Sequence, residues 1–325
     1  MQNYQCKICA NTQGNHAVVV REMMFGFRDE FKYFKCSSCG CLQIAEPPTD
    51  LSKYYPSEGY YSYRQVVTSS SYVEKVKNLL KRFLFNLYQR LNMPLQAVPY
   101  IRNFGWLKFL KKIAKTSAIL DVGCGNGRLL QQMSGWGLKN LTGIDPFIEE
   151  DILYPSGMRV WKTDIYDYPP LQHAGNQSLA EHFDLIMLHH SFEHMDNPRA
   201  ALNQLHKLLS PKGQMLIRVP VSDSFAWRKY GANWFQIDAP RHFFLHTTKS
   251  MAILAKECGF VLKQLVHDST KAQFVHSEKY CRDISLFEDM EIPRTYEKCC
   301  TRQAKWLNRI MDGDQACFIL EKITN

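Results

Sequence analysis

The sequence predicts an α/β protein in which a small metal-binding module and a helical connector precede a mainly parallel sheet covered by helices. Two observations carry this prediction. From Ser117 onward, short apolar runs such as AILDV, LTGID and FDLIML alternate with helical segments such as RLLQQM, which is the pattern of βαβ units. The first 45 residues instead contain two Cys-x-x-Cys pairs separated by short β-prone runs. The apolar content of 45% in 325 residues leaves ample material for a large core.

The N-terminal cysteine pairs predict a structural zinc site. Cys6 and Cys9 form one pair, and Cys36 and Cys39 form the other. Two such knuckles supply the four thiolates of a closed tetrahedral zinc site, with β-strands between them forming a ribbon. Because a segment this short has little core of its own, zinc is expected to fold the module and to take no part in catalysis. We therefore assign residues 1–45 to a zinc ribbon.

Composition argues against a secreted or membrane-spanning protein. No run of eighteen apolar residues occurs, and the segment MQNYQCKICA has neither the basic nor the apolar region of a secretory signal. The sequence therefore favours a cytoplasmic location. Its eleven cysteines then favour reduced thiols over a disulfide framework.

The connector, residues 46–115, begins as a linker rich in tyrosine and proline and continues as a basic helical segment. Between Tyr72 and Lys115 there are ten basic residues and one acidic residue, which accounts for the formal net charge of +9. Apolar residues recur there at helical steps, at Val76, Leu79, Leu80, Phe83, Leu87 and Leu91. A second basic helix is predicted at 105–115. Three roles are open: contact with an anionic membrane, contact with RNA phosphates, or a domain-bridging helix with a solvated basic face.

The glycine-rich segment ILDVGCGNGRLL (119–130) predicts a cofactor site between a strand and a helix. Gly123, Gly125 and Gly127 permit positive φ and close approach of a ligand to the backbone. The acid before them, Asp121, would serve a cationic ligand better than a pyrophosphate. The next strand ends in Asp145, at the spacing where doubly wound folds place an acid on ribose hydroxyls.

Together with later motifs, this segment resembles class I S-adenosylmethionine-dependent methyltransferases. The resemblance covers residues 117–265 and includes LTGIDPF, FDLIMLHHSFEHMDNP and LHKLLSPKGQMLIRVP in order. It implies a Rossmann-like seven-stranded methyltransferase sheet in a domain of residues 116–325, with substrate-side insertions at 221–247 and 268–312. The cofactor-binding residues it implies are Asp121, Gly123, Cys124, Gly125, Gly127, Asp145, Pro146, Asp164, Ile165 and His189. A non-catalytic binding module with this fold remains the alternative.

Two histidine-containing segments are candidates for the acceptor site. HHSFEH (189–194) follows the fourth predicted strand and contains His190, a candidate base. Its pattern H-x-x-E-H also occurs in zinc proteases, an interpretation that the methyltransferase context disfavours. In many methyltransferases of this kind, the Glu-His pair at 193–194 is a structural element of the loop.

The second segment, WFQIDAPRHFFLHT (234–247), resembles a loop of zinc-ribbon-bearing sugar C-methyltransferases and of methyltransferases from surface-polysaccharide pathways. The resemblance implies His242 as the base. Sugar enzymes often have His-Glu-His where this chain has Pro240-Arg241-His242, which puts carbon as the acceptor atom in doubt. Arg241 is predicted to bind a phosphate or carboxylate of the substrate, and Tyr280 to stack on a sugar.

The sequence thus favours a methyltransferase for a small molecule, such as a nucleotide- or lipid-linked sugar or a related metabolite of polysaccharide biosynthesis. S-adenosylmethionine and a structural zinc ion are the expected cofactors. An RNA methyltransferase that grips RNA with the zinc ribbon and the basic helix is the alternative. It is disfavoured because basic residues in the ribbon are partly offset by Glu22, Asp29 and Glu30.

Overall fold

The computed structural model describes residues 4–56, 72–91, 106, 110, 113–168 and 183–323. Its strands are β1 (His16–Arg21), β2 (Glu30–Lys35), β3 (Leu42–Ile44), β4 (Ile119–Val122), β5 (Leu141–Ile144), β6 (Ile152–Leu153), β7 (Arg159–Trp161), β8 (Phe183–His189), β9 (Leu209–Pro220), β10 (Phe244–Leu245), β11 (Phe260–His267) and β12 (Gln315–Lys322). Its helices are α1 (Tyr72–Leu91), α2 (Arg128–Gly135), α3 (Pro198–Leu208), α4 (Phe225–Tyr230), α5 (Thr248–Glu257), α6 (Ala272–Cys281) and α7 (Arg294–Arg309). None of the helices in these ranges is long and apolar enough to cross a membrane.

The chain divides into two compact units. The first comprises Met1–Pro56, His190–Arg199 and Arg218–Phe318, and the second comprises Ser57–His189, Ala200–Ile217 and Ile319–Asn325. The first unit contains residues 1–45, predicted as a zinc ribbon, together with both predicted insertions, 221–247 and 268–312.

The small sheet of the first unit joins segments that are distant in the sequence. Its strand order is β1-β2-β3-β10. The hairpin of β1 and β2 pairs His16 with Lys35 and Arg21 with Glu30. The fourth strand, β10, comes from the predicted insertion and pairs antiparallel with β3. An insertion strand therefore completes the ribbon sheet.

One apolar core serves the ribbon and the insertions of the first unit. Tyr33 and Leu42 of the ribbon strands belong to the same buried cluster as Trp234, Phe274 of α6 and Leu307 of α7. All five side chains are at most 1% exposed. The ribbon thus obtains from the insertions the core that its own residues are too few to build.

The larger sheet has the strand order β11-β12-β9-β8-β4-β5-β7-β6. Strand β4 is parallel to both β5 and β8, and β5 is parallel to β7. This mixed sheet with helices confirms the Rossmann-like prediction. The strand count was wrong, since the described sheet has eight strands where seven were predicted. The two-residue strand β6 pairs antiparallel with β7 and had no recognisable periodicity.

Close packing behind β4 holds the glycine turn in place. All four residues of β4 are buried, and Leu130 and Met133 of α2 are fully covered. Gly143 of β5 has no side chain, and a Cβ there would lie 2.4 Å from Sγ of Cys124. The turn can therefore approach β5 only because position 143 is glycine.

Helix α1 confirms the first predicted basic helix. It belongs to the second unit, where the buried Phe85 stacks on Trp136 with ring centroids 5.8 Å apart. The predicted second basic helix at 105–115 and the tyrosine-rich linker beyond Pro56 lie mostly outside the described residues.

Candidate active site

The glycine turn after β4 has the left-handed backbone that its sequence predicts. Gly123, Gly125 and Gly127 have φ values of 73°, 52° and 70°, which residues with side chains rarely adopt. The N–H of Gly123 donates to the carbonyl of Ile144 at 2.8 Å. The turn is therefore tied to the end of the neighbouring strand β5.

Asp145 organises this turn through both of its carboxylate oxygens. Oδ2 accepts from the N–H of Gly125 at 2.7 Å, and Oδ1 accepts from the N–H of Phe147 at 2.9 Å. The carboxylate is 7% exposed. The predicted ribose-binding acid therefore also connects the glycine turn to the loop after β5.

Asp121 is a buried acid beside the turn. It is 3% exposed, and burial, followed by repulsion from Asp145, raises its pKa to about 8. No cation among the described residues contributes to that shift. Two buried carboxyl groups beside a glycine turn form a site suited to a positively charged ligand. This donor set fits the ammonium group and the ribose hydroxyls of S-adenosylmethionine.

The remaining predicted cofactor residues also lie in the second unit. Asp164 accepts from the N–H groups of Tyr166 and Asp167 at 2.8 and 2.9 Å, so one carboxylate oxygen stabilises its own turn. Ile165 is buried, Pro146 is exposed and Cys124 is half-buried. At the end of β8, the ring of His189 lies 4.9 Å from that of Trp106.

The four predicted zinc ligands converge in the first unit. Their sulfur atoms all lie within 4.8 Å of one another, and the Cys6–Cys39 and Cys9–Cys36 pairs are each separated by 3.6 Å. Sulfurs bound tetrahedrally to zinc at about 2.3 Å are separated by about 3.8 Å. Gln43 donates to Sγ of Cys6 at 2.9 Å. The cluster therefore fits a structural zinc ion.

A second cluster of titratable groups in the first unit surrounds Glu193. We call it the Glu193 cluster; its members are His190, Glu193, His194, Asp238 and His242. The Glu193 carboxylate is fully buried, 3.3 Å from Nδ1 of His190 and 3.9 Å from Nε2 of His242. Among the described residues, neither carboxylate oxygen has a partner with full hydrogen-bond geometry. A buried carboxylate in this condition is poised to accept a proton donor or a cation.

Hydrogen bonds distinguish the two predicted bases. Nδ1 of His242 lies 2.8 Å from the carbonyl of Gln236, which assigns its proton to Nδ1 and leaves Nε2 as the acceptor. Nε2 of His190 instead lies 3.0 Å from the Arg218 guanidinium, which can only donate. The proton-accepting nitrogen of His190 is therefore occupied, whereas that of His242 faces carboxylates.

Electrostatics in the Glu193 cluster keeps Glu193 ionised and His242 neutral. Burial alone would raise the pKa of Glu193, but His190 and the other two histidines lower it to about 2. Burial, followed by repulsion from His194, lowers the pKa of His242 to about 4 against the opposing effects of Asp238 and Glu193. At neutral pH, His242 is therefore unprotonated and Nε2 can act as a proton acceptor, while the two carboxylates offset part of the cost of its cation.

His194 was predicted to be only a structural loop residue, and the structure adds it to the cluster. Its Nδ1 lies 2.8 Å from the carbonyl of Arg241 and 3.2 Å from the hydroxyl of Tyr55. One ligand atom each from Glu193, His194 and His242 lies within 4.8 Å of the others, so these residues could also hold a metal ion. The H-x-x-E-H pattern was the one sequence signal that could have identified Glu193 and His194.

Arg241 does not have the predicted substrate-facing position. Its guanidinium is fully buried and forms a bidentate pair with Asp238 at 2.6 and 2.9 Å. It also donates to Glu22 at 2.9 Å and to the carbonyl of Tyr54 at 3.1 Å. Because protein partners occupy the fork, Arg241 supports the architecture of the site and is not available for a substrate phosphate.

Tyr280 is likewise buried, at 5% exposure. Burial raises the pKa of its hydroxyl well above the usual value. The structure therefore gives no exposed ring at position 280 on which a sugar could stack. The Glu193 cluster is instead contacted by Tyr55, whose hydroxyl lies beside His194, and by the buried Tyr33, whose hydroxyl donates to the carbonyl of His242 at 2.8 Å.

Comparisons with known proteins identify a family for about half of the chain. A profile of the family described as "Methyltransferase domain" matches residues 100–265. The ubiquinone biosynthesis O-methyltransferase of Psychrobacter cryohalolentis is 32% identical over 116 residues, which are 33% of this chain and 44% of that protein. The tRNA U34 carboxymethyltransferase of Cellvibrio japonicus is 33% identical over 129 residues, 36% of this chain and 37% of that protein. The chain spans about half, or less, of the length of the curated relatives it matches.

The solved structures that match this chain have low sequence identity to it. A SAM-dependent methyltransferase from Thermotoga maritima, described as a possible histamine N-methyltransferase, is 17% identical with a TM-score of 0.43, covering 78% of this chain and 96% of that one. A SAM-dependent methyltransferase from Archaeoglobus fulgidus is 16% identical with a TM-score of 0.42, covering 74% and 100%.

Loss of one cysteine ligand should release zinc. We expect Cys9→Ser to bind zinc at least about tenfold more weakly than the wild type, because three thiolates do not complete the tetrahedral site. Zinc content after dialysis against a chelator, measured by mass spectrometry, checks this. The exposed Cys281→Ser is the control and should keep the wild-type content. Full retention of zinc by Cys9→Ser would contradict the assignment.

Loss of the buried guanidinium should destabilise the protein. Arg241→Gln leaves the carboxylates of Glu22 and Asp238 without their cation, and we expect the free energy of unfolding to fall by about 3–5 kcal/mol. Urea denaturation measures the change. Arg228→Gln removes a 55% exposed partner of Asp312 and should cost less than about 1 kcal/mol. An equal decrease in the free energy of unfolding of the two variants would contradict a structural role for Arg241 beyond that of an exposed ion pair.

Proposed function

The chain belongs to the methyltransferase-domain family, and on that premise we propose that it transfers a methyl group from S-adenosylmethionine to a small acceptor. The acceptor we propose is a nucleotide- or lipid-linked sugar or a related metabolite of polysaccharide biosynthesis. The observation that carries the proposal is the glycine turn with the buried carboxyls of Asp121 and Asp145 beside it. Its backbone and its charge suit the cofactor of this family.

When bound, S-adenosylmethionine supplies an electrophilic methyl group on a sulfonium. In the proposed assignment, Asp121 faces the cationic end of the cofactor, and Asp145 holds the ribose hydroxyls while it keeps the turn in shape. Asp164 and Ile165 frame the adenine. Each assignment follows the family pattern, and the burial of both acids near the turn supports it.

His242 is the proposed general base. Its Nε2 takes the proton from the acceptor hydroxyl, and the carboxylates of Asp238 and Glu193, at 3.8 and 3.9 Å, stabilise the imidazolium that forms. The bond from Nδ1 to the carbonyl of Gln236 fixes the ring in the required tautomer. Glu193 acts through His242 and is a positioning residue.

A small acceptor is favoured over RNA because the proposed base is buried, with a side-chain exposure of 8%. The similarity to sugar methyltransferases in the segment 234–247 also favours it. The tRNA-modifying relatives keep RNA as the alternative, and the assay below separates the two.

Cofactor binding is the first test. We expect isothermal titration calorimetry with S-adenosylhomocysteine to show binding that Asp145→Asn weakens at least about tenfold, because the turn loses a charged acceptor. The exposed Glu150→Gln should bind as the wild type does. A folded wild-type protein that binds no S-adenosylhomocysteine would overturn the proposal and leave a binding module for another ligand.

The affinity for S-adenosylhomocysteine should also increase with pH. The pKa of Asp121 is about 8 in the free protein, so the carboxyl is mostly protonated at pH 6. A bound ammonium group favours the ionised form, and the affinity should therefore rise between pH 6 and pH 8. In Asp121→Asn this rise should disappear. An equal rise in the variant would assign the pH dependence to another group.

Transfer of labelled methyl groups identifies the acceptor class. With S-adenosyl-[methyl-³H]methionine, we expect label in nucleotide sugars or lipid-linked glycans, whereas label in tRNA would establish the RNA alternative. His242→Asn should reduce kcat about 100-fold or more with unchanged affinity for S-adenosylhomocysteine. The wild-type rate should fall only as the pH approaches the His242 pKa of about 4.

The exposed His16→Asn is the matched control for that substitution. It should retain the wild-type kcat. Undiminished turnover by His242→Asn would exclude His242 as the base and direct attention to His194, whose Nδ1 is also bound to a carbonyl.

A further inference from the structure

Helix α1 exposes the apolar side of its amphipathic pattern. Val76, Leu79, Leu80 and Phe83, which we call the apolar stripe, are 48%, 67%, 45% and 62% exposed. Their spacing places them on one side of the helix over two turns. Exposed apolar side chains are ordinary when single, but four in one stripe indicate a surface that another apolar phase covers.

The opposite side of α1 attaches the helix to its own unit. Phe85 is 2% exposed and stacks on Trp136. Asn78 lies close to Gly135, the last residue of α2, and Arg82 lies close to Gly137, two residues later. The side of α1 that packs is therefore not the apolar stripe, and the helix holds the stripe outward.

The charges near the stripe are mainly basic. Lys77 and Arg90 are exposed, and the sequence between Tyr72 and Lys115 contains a single acid, Glu74. Long basic side chains beside an apolar stripe can reach lipid phosphates while their stems cover hydrocarbon.

We propose that α1 binds the surface of an anionic membrane, with the apolar stripe in the lipid interface and the basic side chains at the level of the phosphates. The stripe favours this partner over RNA, since RNA would use the charges and leave four apolar side chains in water. It also disfavours a second copy of the chain, because a symmetric contact would set basic flanks against basic flanks. The proposal does not depend on the acceptor of the methyl group.

Vesicle sedimentation with the full-length, zinc-replete protein tests the proposal. We expect binding to phosphatidylcholine vesicles that contain phosphatidylglycerol, weaker binding in high salt, and little binding to phosphatidylcholine alone. Leu79→Ser/Phe83→Ser should weaken binding at least about tenfold, since two apolar side chains leave the interface. The matched control is Leu153→Ser/Ile323→Ser, which changes side chains that are 69% and 48% exposed outside α1, and it should bind as the wild type does.

Three results would overturn the proposal. The first is that the wild-type protein does not bind anionic vesicles. The second is that the Leu79→Ser/Phe83→Ser variant binds them as strongly as the wild type does. The third is a wild-type dimer, measured by light scattering, that the Leu79→Ser/Phe83→Ser substitutions convert to a monomer, when neither the wild type nor the variant binds vesicles. Calorimetry with S-adenosylhomocysteine on the same variant shows whether the cofactor site is intact, so a failure of the membrane proposal is distinguishable from a failure of the proposed function.

Discussion

The buried guanidinium of Arg241 is the interaction on which the architecture of the first unit depends. It joins Glu22 of the ribbon to Asp238 of the insertion, and Glu22 in turn accepts from the N–H groups of Phe25 and Phe27. Through its carbonyl, Arg241 also orients His194. A charge with no water around it tolerates few geometries, and this constraint fixes the loop that carries His242.

Local sequence predicted the cofactor turn well because its causes are local. Alternating glycines require a left-handed backbone, and an acid at the end of each of two parallel strands lies at the same sheet edge. The clustering of the four cysteines was equally predictable, since the Cys-x-x-Cys spacing defines each knuckle. The Glu193 cluster was only half predicted. His190 and His242 were recognised as candidates, whereas Asp238 and the partners of Arg241 meet through tertiary contacts that no spacing reveals.

Each of the two acidic centres contains a buried carboxyl group whose burial has a cost. Burial raises the pKa of Asp121 to about 8, which disfavours its ionised form. Nearby histidines favour the ionised form of Glu193, but its oxygens have no hydrogen-bond partner among the described residues. Each arrangement costs folding free energy that a better-solvated or amide side chain would save. Such costs are typical of sites that exist for a ligand, and in this protein they occur in the glycine turn and in the Glu193 cluster.

The pairing of β3 with β10 constrains how the chain can fold during synthesis. Leu42 pairs with Leu245, about 200 residues later in the chain. All four clustered cysteines leave the ribosome long before the strand that completes their sheet. Their thiols must therefore stay reduced, with or without a bound metal ion, while one edge of the sheet is still unpaired.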